Sequence, residues 1–391
     1  MRKRIFLSPP WVGADERGLV AQAFDSGYVA PCGPMVDAFD RRLGELSGQH
    51  AAAVASGTAA IDLLMTELGV GPRTTVVASS LTFIATVGPA VKHGAKVVFV
   101  DSDPATGTIS IPLLEQALAD VRRPAVVVAA DIYGQCCDYD ALEEVCARHR
   151  VPLVLDAAES VGATYKDRPS GLAGAAAVYS FNGNKIITTS GGGAVLSRDL
   201  ELVARAKWRA QQSREPVAWY EHREVGYNYR MSNLLAALGC AQLDRLPEII
   251  RRKRRIFDFY CGLFGISVNH QTTKPPTHRT TKPPHHRTTK LPNHQTTKPF
   301  PCAAHTQSTR WLSVFLFPSE TLRDKVAARL EAANIECRPV WKPLHLQPVF
   351  AENRVYGGEV AEDLFRRGLC MPSGAGLTRA DLARIARALV G

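Results

Sequence analysis

No apolar run in these 391 residues reaches the ~18 needed to cross a bilayer, so no membrane insertion is expected. The basic start, Arg2-Lys3-Arg4, precedes an apolar stretch too short for a secretory signal. Nine cysteines are present but none has CxxC spacing, which argues against a zinc site and a disulfide framework. Cys136-Cys137 reads as two small buried hydrophobes, and a cytoplasmic location fits the set. Acid is missing altogether from residues 271–300, where four Lys and two Arg supply +6 of the net +10. The remaining chain is therefore close to balanced, and a nucleic-acid partner is not expected.

What the chain does have is a series of short Val/Ala/Leu runs alternating with segments of helical period. Runs at 51–55, 75–78, 96–100, 125–130, 151–155, 175–179 and 194–197 read as buried strands. Helices are expected at 37–46, 139–150, 202–208 and 234–246, with the continuation Arg251-Arg252-Lys253-Arg254-Arg255 as a solvated helix face. The alternation predicts an α/β fold with a mostly parallel sheet covered on both faces. Residues 271–301 repeat Thr-Thr-Lys every eight residues and have little to bury, which predicts a disordered spacer. A strand at 311–317 and helices at 322–333 and 379–389 then suggest a small α+β unit. The expected division is 1–250, a large domain with an N-terminal arm; 251–267, a connecting helix; 268–305, low complexity; and 306–391, a small C-terminal domain.

Three residues draw the eye to one edge of the predicted sheet. Asp156 closes one apolar run, and Ser180 and Lys185 lie just past another. In an open α/β sheet the carboxyl ends of the strands are where ligands bind. An acid, a lysine and a hydroxyl are the donor set of pyridoxal phosphate (PLP): amine for the aldehyde, acid for the ring nitrogen, hydroxyl for the phosphate. Singly each has a plainer reading, as a helix cap or a solvated lysine. Ser56-Gly57-Thr58 opens a helix, where bare N–H groups suit a phosphate. Phe83, at a strand-to-helix junction, suits either ring stacking or core packing.

Six motifs in order then resemble one family: Arg4-Ile5-Phe6-Leu7-Ser8, Ser56-Gly57-Thr58-Ala59-Ala60, Asp156-Ala157-Ala158-Glu159, Ser180-Phe181-Asn182-Gly183-Asn184-Lys185, Gly226-Tyr227-Asn228-Tyr229-Arg230-Met231 and Trp341-Lys342-Pro343-Leu344-His345. They resemble the DegT–DnrJ family of PLP-dependent nucleotide-sugar aminotransferases, of the aspartate aminotransferase-like fold type I. Within it, the likeness is to UDP-N-acetylbacillosamine-type and exopolysaccharide-type transaminases. The resemblance implies that Lys185 links to the cofactor and moves the proton, and that Asp156 pairs with the ring nitrogen. It gives Thr58, Ala59 and Ser180 to the phosphate, Phe83 to ring stacking, Glu159 to the phenolic oxygen, and Tyr28 and His345 to the sugar. Asn228 reaches the neighbouring subunit's phosphate, so a homodimer with shared sites is implied. The implied reaction takes an amine from glutamate to a nucleotide-linked (UDP-type) 4-keto-6-deoxy sugar, for polysaccharide or glycan precursors. Sugar-dehydrating relatives carry His where Lys185 stands. The alternatives are such a dehydratase, or a regulator acting through the basic repeat. Two features depart from the family: Asp131, where many relatives have His, and the stretch 268–305, which has no counterpart.

Overall fold

The computed structural model describes residues 3–267 and 297–390; the repeat expected to be disordered lies outside them, apart from its last few residues. The short apolar runs form an eight-stranded sheet. Its order is His50–Val54, Gly193–Ser197, Ala176–Ser180, Leu153–Asp156, Pro124–Ala130, Thr75–Ser79, Lys96–Val100 and Val355–Tyr356. Only Gly193–Ser197 runs against the rest. Side chains of a strand alternate faces, and the alternation divides the core. Val77, Val127, Leu153, Leu155 and Tyr179 pack into one cluster with the helices Pro34–Ser47, Ile111–Asp120 and Tyr139–His149. Their neighbours Val76, Val126, Val128, Val154 and Val178 pack into a second with Gly57–Glu67 and Leu200–Ala210. Both faces are thus covered, which is why the strands read as continuous apolar runs.

The helix from Asn233 runs unbroken to Phe264, 32 residues, carrying Pro247 inside it. There is no separate connecting helix at 251–267. Its first half packs on the large sheet's helices, and its second half buries Ile256, Phe257, Tyr260 and Phe264 against Phe315, Phe317 and Ile385 of the small unit. The basic run is not a solvated face throughout. Lys253 is 2% exposed, because the helix lies in a groove between the two units and one side of every turn must be buried.

The small unit is an antiparallel sheet of Lys298–Pro299, Ser313–Leu316, Gly368–Met371 and Arg338–Pro339, with the helices Glu320–Ala332 and Arg379–Val390. Two segments expected within it belong elsewhere. Thr306–Gln307 pairs with Thr164–Tyr165 of the large domain, and Val355–Tyr356 adds the eighth strand beside Lys96–Val100. Asp101, at the end of the latter strand, accepts N–H bonds from Gly358 (2.7 Å), Val360 (3.0 Å) and Ala361 (2.9 Å) at the start of the helix Glu359–Arg367. A carboxylate at a helix N-terminus satisfies groups that have no intrahelical acceptor.

Candidate active site

Six of the sheet's strands end, at their carboxyl edge, beside polar residues: Ser56, Ser79, Asp101, Asp131, Asp156 and Ser180. A cavity of about 270 Å³ opens there, lined among others by Gly57, Thr58, Phe83, Asp156, Ser180 and Lys185. Its wall depends on one close approach. Gly193 bonds its strand between Val54 and Ser180, and a Cβ on it would lie 2.4 Å from the Gly57 nitrogen. Only glycine lets the helix start and Ser180 converge.

Of the four N–H groups at that helix start without intrahelical acceptors, those of Ser56 to Ala59, one is taken by the cap. Ala59 donates to Ser56 Oγ (3.0 Å), while Ala60 makes the first intrahelical bond, to the Ser56 carbonyl (3.1 Å). The N–H groups of Gly57 and Thr58 remain for an anion. Of the expected phosphate pair, Thr58 lines the cavity, and the Ala59 N–H is engaged by the cap.

Asp156 is 6% exposed and its Oδ2 accepts from Thr86 Oγ1 at 2.6 Å, which fixes the carboxylate in the cavity wall. Thr86 is itself steadied by Thr82 (2.7 Å). Lys185 Nζ lies 3.6 Å from Glu159 Oε1 and 4.6 Å above the Trp311 ring. Glu159 also accepts from the Tyr133 N–H (3.0 Å) and Trp341 Nε1 (3.1 Å). Burial pushes its carboxyl up, opposed by Lys185 and by these two donors. Phe83 is half exposed, with its ring 5.6 Å from that of Trp341. Asp131 is fully buried and accepts from Cys137 N (2.8 Å), Tyr139 OH (2.6 Å) and Ser160 Oγ (2.6 Å); burial raises it to about 6 despite those donors. It is a hydrogen-bonded knot in the cavity wall.

A second, larger cavity of about 690 Å³ lies behind Trp341, Trp311 and Tyr133, between the N-terminal arm and the small unit. Sequence reasoning did not single it out. Trp341 lay within a quoted motif, but nothing local marks Trp311 or Thr86.

Three expected residues are not brought to the cavity. His345 is fastened at both ring nitrogens, to Ser80 Oγ (2.5 Å) and Glu362 (3.2 Å), and lines neither cavity. Its two bonds brace the end of Thr75–Ser79 against the helix Glu359–Arg367. Tyr28 is exposed on the loop after Ala14–Asp25 and also lines neither. Asn228 is exposed on the segment following the helix Leu200–Ala210, bridged to Gln211.

The donor set fits PLP: an amine, a fixed carboxylate, an aromatic ring, a serine hydroxyl and two helix-start N–H groups around one cavity. Comparison with known proteins agrees. The profile of the DegT/DnrJ/EryC1/StrS aminotransferase family matches residues 10–390. The chain is 39% identical over 399 residues to EpsN of Bacillus subtilis, named provisionally as a pyridoxal phosphate-dependent aminotransferase, covering 100% of this chain and 96% of that one. It is 33% identical to GDP-perosamine synthase of Caulobacter vibrioides, covering 99% and 97%. The crystal structure of the aminotransferase TlmJ from Streptoalloteichus hindustanus superposes with a TM-score of 0.86 at 27% identity, covering 99% and 98%. The chain belongs to the DegT/DnrJ/EryC1/StrS aminotransferase family and is a PLP-dependent sugar aminotransferase.

Proposed function

We propose that the substrate is a nucleotide-linked 4-keto-6-deoxy sugar, with glutamate as amino donor and a UDP-type carrier. The observation that carries this is the pairing of the Lys185 cavity with the larger one behind Trp341. A sugar carbon reaching Lys185 leaves the rest of a substrate much larger than an amino acid to be housed, and the second cavity has the room. PLP, when bound, supplies the aldehyde and the electron sink that make the exchange possible.

The chain's own groups do the rest. Lys185 Nζ holds the cofactor and then carries the proton to and from the reacting carbon. Asp156, anchored by Thr86, keeps positive charge at the ring nitrogen. Gly57 and Thr58 N–H with Ser180 Oγ bind the phosphate, and Phe83 covers the ring face. Glu159 keeps Lys185 and Trp341 in register. A second copy of the chain supplies Asn228: its segment exposes Trp219 (63%), Tyr220 (77%) and Val225 (94%), an apolar face suited to cover by a partner. A cytoplasmic setting accords with the reducing environment that nine free cysteines suit. Among the described residues no helix is long and apolar enough to cross a membrane.

The test is the visible spectrum with PLP before and after glutamate, for wild type and Lys185→Ala, followed by turnover of UDP- and GDP-linked keto sugars. The wild type is expected to show a band for lysine-linked cofactor that glutamate discharges. The variant should show neither, and lose turnover by about 10³-fold or more. Discharge by glutamate with no turnover of any keto sugar nucleotide would overturn the substrate reading alone.

A further inference from the structure

Lys253, in the middle of the long helix, takes no part in the site described above. Its side chain is buried, and its three partners are all uncharged: the Ser373 carbonyl (2.8 Å), the Trp311 carbonyl (3.0 Å) and Ser8 Oγ (3.2 Å). A buried ammonium without a carboxylate is costly, and burial lowers Lys253 to about 7. A leucine or methionine would fill the same groove at no such cost, so the three bonds need a reason beyond packing.

The partners supply one. They come from three separate stretches: the N-terminal arm, the start of Ser313–Leu316 and the end of Gly368–Met371. These stretches are joined again nearby, by Ser373 N–H to the Leu7 carbonyl (2.6 Å) and Ser313 N–H to Ser373 Oγ (2.8 Å). Trp311 alone of the three reaches the active site. Its Nε1 donates to the Asn184 carbonyl at 2.9 Å, and its ring lies under Lys185 Nζ at 4.6 Å. Trp311 thus touches two consecutive residues of the turn that presents the lysine.

We propose that Lys253 is a positioning residue: by fixing the Trp311 backbone against the N-terminal arm and the small unit, it sets the indole that holds the Asn184–Lys185 turn. The inference rests on Lys185 as the reacting amine. Lys253 touches neither cofactor nor substrate, and acts through Trp311 alone.

The test uses the full chain without cofactor. Amide hydrogen exchange of the peptide 181–187 is followed by mass spectrometry in wild type, Lys253→Met and Ser8→Ala. Peptides from Thr75–Ser79 and Pro124–Ala130 serve as internal references. Lys253→Met is expected to speed exchange of 181–187 by about tenfold with the references unchanged, and Ser8→Ala to act in the same direction but less. Should Lys253→Met fail to fold, Ser8→Ala decides. Unchanged exchange at 181–187, or a rise shared equally by the references, overturns the proposal, since a purely structural lysine would loosen both alike. In loaded enzyme the amino-donor half-reaction should lose about tenfold in kcat with KM little altered, because geometry rather than binding is disturbed. A change confined to KM would count against it. If wild type takes up no cofactor through Lys185, the functional reading falls while the exchange measurement still answers the positioning question.

Discussion

Glu159 has more partners than a carboxylate needs to sit beside a lysine. Both oxygens receive N–H groups, from Tyr133 and Trp341, and Lys185 lies 3.6 Å away. An amide in its place has one acceptor, so one buried N–H would face another N–H. Glu159→Gln is expected to cost about 1–3 kcal/mol of stability in denaturant unfolding, with Trp341 displaced. Asp131 gives a residue-scale prediction of opposite kind. Its folded-state value of about 6 lies above the ordinary 3.8, so between these pH values the folded chain binds the extra proton. Stability from this group is therefore present below about pH 4 and declines as pH rises through 6. Asp131→Asn should remove that decline, a difference of order 2 kcal/mol relative to wild type between pH 4 and 7 in denaturant midpoints. Asp156, Ser180 and Lys185 were legible in the sequence because each follows an apolar run whose end marks the ligand edge. Thr86 was not: a threonine 70 residues from Asp156 carries no local sign of their bond.

At the scale of elements, the helix Asn233–Phe264 shows where local patterning misleads. Five consecutive basic residues look like one solvated face, yet a helix turns 100° per residue and cannot present five neighbours to one side. Arg251 and Arg255 are exposed while Lys253 between them is buried. The lysine leaves a pH signature. With its folded value about 7 and the unfolded chain binding the proton up to about 10.5, stability rises as pH climbs through that window. Lys253→Met should lack the rise, read as a flat denaturant midpoint between pH 7 and 9.5. The large sheet was readable in the sequence, strand by strand, because buried parallel strands are uninterrupted apolar runs. Val355–Tyr356 was not, since two residues carry no period and their pairing is fixed by contacts with residues more than 230 positions away, such as Asp120 and Asp101.

For the whole molecule, the change of pattern near residue 300 coincides with the first strand of the second sheet, but the pairing of later segments with the large sheet was not legible. Pairing of Thr306–Gln307 with Thr164–Tyr165 depends on contacts more than 140 residues apart, which no window of sequence contains. Association is the property to measure at this scale. Sedimentation is expected to give a dimer for wild type and a shift toward monomer for Trp219→Asp, with loss of cofactor retention in the monomer. Retention unchanged in a monomer would show that each chain completes its own phosphate seat.

The strand Val355–Tyr356 also has a consequence for the order of synthesis. Until residues near 360 leave the ribosome, Lys96–Val100 is a bare parallel edge of Val and Phe, and Asp101 has no helix to cap. Such an edge invites pairing with other chains. The first two thirds of the protein must therefore wait, exposed, for its last third to close the sheet, and nascent chains halted short of that point are the ones that a chaperone has to guard.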